Sequence, residues 1–120
     1  IVMLTGDQAR TYSISAKISG VELELIKLYI LASVNAVCNY DKNAEFSVRT
    51  LFGGDNRDWG GTPLQKVFDY HFYIDGKSKD EAASRSAIDI GILLKSVLEN
   101  DERTFELVRQ DTGKVYRLVI

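Results

Sequence analysis

The sequence predicts an α+β fold with a mainly antiparallel sheet of about four strands, and two patterns predict it. Segments in which apolar and polar residues alternate, as in half-buried strands, lie near the start of the chain, in its middle and near its end. Longer segments with apolar residues at helical spacing, preceded by capping sequences, lie between them. The predicted order is β-α-β-α-α-β-β, in a single two-layer domain over residues 1–120 with the helices packed mostly on one face of the sheet.

The first predicted strand covers residues 11–18, and a helix from about Gly20 to Asn39 follows it. Ser19 and Glu22 have capping-box spacing, because the serine side chain can bind the amide three residues on while the glutamate reaches back. Apolar and acidic residues alternate at the start of this helix, which leaves a strand over 21–30 as the alternative. Since apolar residues surround nearly its whole circumference, we expect the helix to be buried on more than one side.

A second strand is predicted over residues 45–52, and the best helix signal follows it. Thr62 is the predicted N-cap, Pro63 occupies the first helical position, and Gln65 completes a capping box. This helix is predicted to end at residues 75–76. One apolar stripe along it comprises Leu64, Val67, Phe68, His71 and Phe72.

A third helix begins at the capping sequence 78–81 and is predicted to reach about Asn100. Its main apolar stripe comprises Ala83, Ala87, Ile90, Leu94, Val97 and Leu98. The last two predicted strands cover 103–110 and 114–120. They are joined by the short turn 111–113, whose glycine is available for the left-handed backbone position of a hairpin.

Charge and composition limit the functional classes. Fifteen basic residues face seventeen acidic ones, and no block of five like charges occurs, so neither nucleic acid nor an anionic membrane is an expected partner. Cys38 is the only cysteine, which excludes an internal disulfide framework. The longest apolar run, 28–34, is too short for a bilayer of about 30 Å. With no signal-peptide pattern at its start, the chain is expected to be cytoplasmic.

The loop 53–61 is the stretch that periodicity does not explain. Two glycine pairs bracket two carboxylates, an amide, an arginine and the only tryptophan. Glycines permit sharp bends and close backbone approach, an arginine offers a planar fork to an anion, and tryptophan offers a stacking face. The loop also leads into the amino end of the Thr62 helix, where free amides favour anions. The predicted ligand-binding residues are Asp55, Arg57, Asp58, Trp59 and His71.

Each of these residues has a purely structural alternative. Trp59 can fold back as a lid on the edge of the core, leaving the charged loop residues solvated. His71 lies on an apolar helix stripe, where a lone histidine is more often a hydrogen-bonded core residue than a catalyst. The loop matches neither a phosphate-binding P-loop nor an EF-hand, and no second histidine is present. No metal and no cofactor are therefore expected.

Apolar residues outside the main stripe of the third helix predict association. Ile88 and Ile92 form a second, narrower apolar pair, and a helix that is apolar beyond one face needs a second partner. That partner is either the first helix or a second copy of the chain. We expect a homodimer with Ile88 and Ile92 in its interface.

Three classes of function remain open. The main hypothesis is a non-catalytic binding or interaction module that takes a small anionic or aromatic ligand at the Trp59 loop. Residues 81–95 resemble a helix-turn-helix DNA-binding motif, but Ala87 stands at the turn glycine and 90–94 offers no side chain that reads bases. A small acid–base enzyme built on Asp55, Asp58 and His71 is the third hypothesis, if the fold brings these residues together.

Overall fold

The computed structural model describes residues 2–4, 13–53, 59–110 and 112–120. Within these ranges the helices are α1 (Gly20–Tyr40), α2 (Val48–Phe52), α3 (Gln65–Asp69) and α4 (Lys79–Glu99). A π-helical turn, Tyr70–Ile74, continues α3 directly. The strands are β1 (Val2–Leu4), β2 (Glu45–Phe46), β3 (Phe105–Gln110) and β4 (Lys114–Leu118).

The strands form one antiparallel sheet in the order β1-β3-β4-β2. The hairpin of β3 and β4 forms its centre, with a register shift between Leu107 and Arg109. The prediction of a compact α+β domain with an antiparallel sheet is confirmed, and so is the carboxyl-terminal hairpin, although Asp111 in its turn lies outside the described residues. The predicted element order is not confirmed, because residues 13–18 form no strand and most of the second predicted strand, 45–52, is helical.

The predicted starts of α1 and α4 are confirmed by the capping contacts themselves. The Glu22 amide donates to Ser19 Oγ over 3.3 Å, and the Glu81 amide donates to Ser78 Oγ over 3.2 Å. Residues 21–30 are therefore helical rather than extended. These serines satisfy backbone donors that a helix start otherwise leaves unpaired.

One expectation about α1 is wrong. Its buried residues, Ile26, Ile30, Val34 and Cys38, follow a single face. On another side Val21, Leu25 and Leu28 are exposed in this chain, so the helix is not buried on more than one side as predicted. The hydrophobic circumference of a helix shows what the helix can bury, and the fold of this chain uses part of it.

The predicted strand at 11–18 is also wrong over its described part. Residues 13–18 form no strand, while Thr11 and Tyr12 lie outside the described residues. The amides of Ser15 and Ala16 donate to the Asp89 carboxylate on α4, over 2.9 and 3.1 Å. The Asp89 side chain thus accepts amide hydrogen bonds that, in a β-sheet, the backbone carbonyls of a neighbouring strand would accept. Apolar alternation alone gives no sign of such a substitute.

The second predicted strand, 45–52, is strand only at Glu45–Phe46. Ser47 ends it by starting α2 with a reciprocal capping box. The Thr50 amide donates to Ser47 Oγ over 3.2 Å, and the Ser47 amide donates to Thr50 Oγ1 over 2.7 Å. The two exchanged hydrogen bonds stabilise a helical turn where the alternating pattern indicated an extended chain.

The start of α3 also differs from the prediction. Its amide bonds begin with a tighter turn, because the amides of Gln65 and Lys66 donate to the carbonyls of Thr62 and Pro63, three residues back. Thr62 Oγ1 accepts from the Leu64 amide over 3.2 Å, and Gln65 Nε2 donates forward to Asp69. The predicted capping box of Thr62 and Gln65 is therefore absent, and α3 begins at Gln65.

The core lies between the inner face of the sheet and the long helices. Phe46, Phe105 and Tyr116 contribute the sheet side, and the edge of the Phe46 ring meets Phe105 with 6.0 Å between centroids. Ile90 and Leu94 of the predicted α4 stripe are fully buried. The buried face of α4 also carries polar side chains, among them Ser86 and Asp89, which its apolar stripe did not predict.

Candidate functional site

A cavity of about 440 Å³ lies between α4, the start of α2 and the β3–β4 hairpin. Ser47, Val48 and Arg49 line it from α2, and residues 112–116 line it from the hairpin. Its size falls within the range of roughly 300–1,000 Å³ that is usual for small-molecule sites. Geometrically, the cavity is large enough for a small organic molecule.

One face of α4 forms a wall of this cavity. Ile88, Gly91, Ile92 and Lys95 stand at i, i+3, i+4 and i+7, so they follow each other along one side of the helix. Gly91 leaves a hollow between them because it has no side chain. Ile88 is 59% exposed, which places it where the cavity meets solvent. Ile88 and Ile92, predicted at a dimer interface, are therefore cavity residues in this chain.

Trp59 closes the cavity beside the end of α2. Its ring is 3% exposed, and Nε1 donates to the Phe52 carbonyl over 3.1 Å. The structure therefore has Trp59 folded back on the core, which is the structural alternative for this residue. The ring also lines the cavity, together with Gly53 at the other end of the loop. Holding the ring in place by its nitrogen gives the cavity a rigid aromatic wall.

Of the other predicted ligand residues, His71 is the one that lies within the described ranges. Asp55, Arg57 and Asp58 lie outside the described ranges, so the ligand contacts predicted for them remain predictions. His71 is not among the residues that line the cavity. It is 1% exposed and contacts Asp89, on another part of α4.

The cluster around Asp89 joins three segments of the chain. His71 Nε2 lies 2.7 Å from Asp89 Oδ2, and Ser15 Oγ donates to both carboxylate oxygens, over 2.9 and 3.0 Å. In a nucleophilic triad the histidine stands between serine and carboxylate, whereas here the carboxylate stands between the other two. The nitrogen of His71 that faces Ser15 is 3.5 Å from its hydroxyl and already serves Asp89. The cluster is built to hold residues 15–16 and the π-helical turn against α4.

Basic side chains reach the cavity from three elements. Arg49 comes from α2, Lys95 from α4 and Lys114 from β4, and the described lining residues include no aspartate or glutamate. Glu99 does not line the cavity, and its Oε1 lies 3.9 Å from Lys95 Nζ. The described lining of the cavity therefore combines apolar residues, such as Trp59, with three basic side chains.

No protein-family model, curated protein or solved structure matches this chain. Its function is therefore inferred from the site itself. Among the described residues, no three histidine, cysteine, aspartate or glutamate side chains are grouped as a metal site requires. None of the described helices combines the length and the hydrophobicity needed to span a bilayer.

The helix-turn-helix hypothesis meets an obstacle in α4. Residues 81–95 lie inside one continuous helix, Lys79–Glu99, with no turn at Ala87. A recognition helix has to be set at an angle to the helix before it, and a continuous α4 provides no such pair here.

Sequence patterns missed the residues that make the cavity. Arg49, Lys95 and Lys114 are far apart in sequence, and only the tertiary fold brings them to one wall. Gly91 did carry a usable signal. A glycine inside a helix costs about 1 kcal/mol relative to alanine, so its presence in the middle of α4 indicates a local need for space.

Proposed function

We propose that this chain is a non-catalytic binding module for a small molecule with an aromatic or aliphatic body, which enters the cavity between α4 and the β3–β4 hairpin. The observation that supports the proposal is the cavity of about 440 Å³ with Trp59 and Ile92 in its wall. Apolar walls with a few polar groups at defined places are typical of ligand sites. The proposed ligand therefore contacts Trp59, one of the residues that the sequence predicts to bind a ligand.

The absence of an activated nucleophile among the described residues of the wall favours binding over catalysis. The Asp89 cluster is the one arrangement of serine, histidine and carboxylate among the described residues, and its histidine is buried away from the cavity. The acid–base enzyme of Asp55, Asp58 and His71 requires those three side chains at one place. His71 is already engaged by Asp89, which gives that hypothesis no support.

The test is binding of the neutral fluorescent probe anilinonaphthalene, followed by its own emission and by energy transfer from Trp59. Binding to the folded state also raises the unfolding temperature, by an amount that grows with ligand concentration over Kd. Gly91→Leu places a side chain in the hollow, and we expect it to abolish probe binding. Gly91→Ala is the matched control, because an added Cβ meets only Val48 Cγ2, at 4.0 Å. Equal probe binding by the wild type and Gly91→Leu would sink the proposal.

The homodimer predicted from Ile88 and Ile92 is a second proposal, supported by the 59% exposure of Ile88. An apolar side chain that exposed is available to a partner chain as well as to a ligand. Because the same two isoleucines line the cavity, a second copy and a ligand compete for them. Light scattering decides the matter: a dimer that Ile88→Glu converts to monomers supports the interface, and an unchanged mass places any dimer contact elsewhere.

A further inference from the structure

We infer that the natural ligand of this cavity is an amphipathic anion, an apolar body carrying a carboxylate, sulfonate or phosphate group that the basic lining binds. This inference rests on the proposed function, because it assigns a charge to the molecule that the cavity takes. It goes further in specifying which end of the ligand contacts which part of the wall.

The inference is based on the basic side chains that line the cavity. The cavity is lined by Arg49, Lys95 and Lys114, with no carboxylate among its described lining residues. Glu99 stands outside the lining, and its nearest oxygen is 3.9 Å from Lys95 Nζ, a distance at which the lysine can still contact an anion in the cavity. The described part of the lining therefore carries three basic side chains and no acidic one. The chain as a whole has a net charge of −2, so this local charge runs against its overall balance.

Differences in exposure among the lining residues indicate which part of the wall binds each end of the ligand. Trp59 is 3% exposed and contributes an apolar, buried ring to the wall. Lys114 is exposed at the start of β4, and Lys95 is half-buried one helical turn beyond Gly91. An anion at the solvent side keeps part of its hydration while its apolar body lies against the aromatic ring, which avoids the cost of a fully buried charge.

Different elements supply the three cations, so their convergence is a property of the fold. A run of basic residues on one exposed helix is usually a solvated face, whereas here α2, α4 and β4 each contribute one side chain to one cavity. Cations placed around a partly enclosed apolar space interact with an anion more strongly than the same cations on an open surface, because the local dielectric constant is lower.

Matched ligands test the charge directly. Decanoate and decanol have the same chain and differ in the anionic group, and both can be measured by displacement of anilinonaphthalene. We expect decanoate to bind at least tenfold more tightly than decanol at low salt. Its affinity should fall as ionic strength rises, while that of decanol stays constant, since salt screens charges over about 10 Å at 0.1 M. Anilinonaphthalenesulfonate, compared with its neutral parent, repeats the test with an aromatic body.

Charge-removing variants test the position. Lys114→Gln and Lys95→Gln should each weaken decanoate binding by about fivefold, the size of one partly screened charge contact, and should therefore lower the ratio of decanoate to decanol affinity. Lys42→Gln and Lys79→Gln remove exposed lysines that do not line the cavity, and they should change neither affinity.

The outcomes separate the two proposals. If decanol and decanoate both bind, with equal affinity and no salt dependence, the anion inference is overturned and the binding module stands. The anion inference is also overturned if Lys79→Gln weakens decanoate binding as much as Lys114→Gln does, because the attraction is then not local. If neither ligand binds, and anilinonaphthalene binding ignores Gly91→Leu, the proposed function itself fails.

Discussion

His71 Nε2 lies 2.7 Å from Asp89 Oδ2, and both side chains are almost completely buried, with each residue 1% exposed. Asp89 also accepts from Ser15 and Ala16, so a single carboxylate on α4 holds the segment before α1 and the π-helical turn after α3. Buried carboxylates are tolerated where hydrogen bonds satisfy their oxygens, and Asp89 meets that condition. This contact joins parts of the fold, and neither residue lines the candidate cavity.

Asp89→Asn should lower the free energy of unfolding by about 2–4 kcal/mol, measured by urea denaturation. The amide keeps the shape of the carboxylate but presents a donor, which then opposes the Ser15 amide at the Oδ1 position or the Ala16 amide at the Oδ2 position. Asp80→Asn, at an exposed position in the first turn of the same helix, is the control and should cost less than about 1 kcal/mol. If both variants lose the same amount, Asp89 is not a joint between these segments.

The parts of the fold that sequence predicted well depend on local contacts. Ser19 and Ser78 start their helices by binding amides three residues ahead, so both the cap and its partner lie within one short window of sequence. The hairpin of β3 and β4 is also local, because a short turn joins its strands. In these places a pattern of few residues contains the whole physical cause.

The parts that sequence predicted poorly depend on distant partners. Residues 13–18 alternate like a strand, but Asp89, more than seventy positions away, accepts amide hydrogen bonds from two of them. The capping box of Ser47 and Thr50 is an exception, because both of its residues lie within one short window of sequence. The alternation of apolar residues over 45–52 predicted a strand there instead. The candidate site needed the tertiary fold, because α2, α4 and β4 each supply part of one wall.

Gly91→Ala should raise the free energy of unfolding by about 0.5–1 kcal/mol, because alanine loses less backbone entropy than glycine in a helix. The added Cβ has room, with Val48 Cγ2 the nearest atom at 4.0 Å. Gly76→Ala is the contrasting variant, because Gly76 has φ +69°, where a side chain is strained. This substitution should lower the free energy of unfolding by about 1 kcal/mol. Thermal and urea unfolding measure both. A destabilised Gly91→Ala means that the helix backbone around Gly91 is less regular than that of a standard α-helix.

Cys38 should react slowly with dithionitrobenzoate in the folded protein and at once in guanidinium. The thiol is 3% exposed, and burial raises its pKa. A raised pKa means that the folded state holds the proton more tightly than the unfolded state. The stability that this difference contributes to the folded state is therefore present below the ordinary thiol pKa of about 8.5. It is lost as pH rises through the thiol pKa of the folded state. Labelling of the native protein at the rate of a free thiol contradicts the prediction.

Asp101→Asn should destabilise the protein at neutral pH by about 1–2 kcal/mol, and the loss should disappear in acid. Side-chain hydrogen bonds from Arg103 hold the pKa of Asp101 below its ordinary value, and Arg103 also donates to Asn35 on α1. With a lowered pKa, the folded state binds the proton more weakly than the unfolded state. The stabilisation is thus complete above the unfolded pKa of about 3.9 and is lost as pH falls through the folded one.

The measurement is urea unfolding of the wild type and Asp101→Asn between neutral pH and pH values below that of the unfolded carboxyl group. The difference between them should shrink as pH falls, because protonated aspartic acid and asparagine are both neutral beside Arg103. Glu102→Gln removes the neighbouring exposed carboxylate and should show a small difference at every pH. A difference for Asp101→Asn that stays constant into acid would mean that the charge of Asp101 does not stabilise the folded state through Arg103.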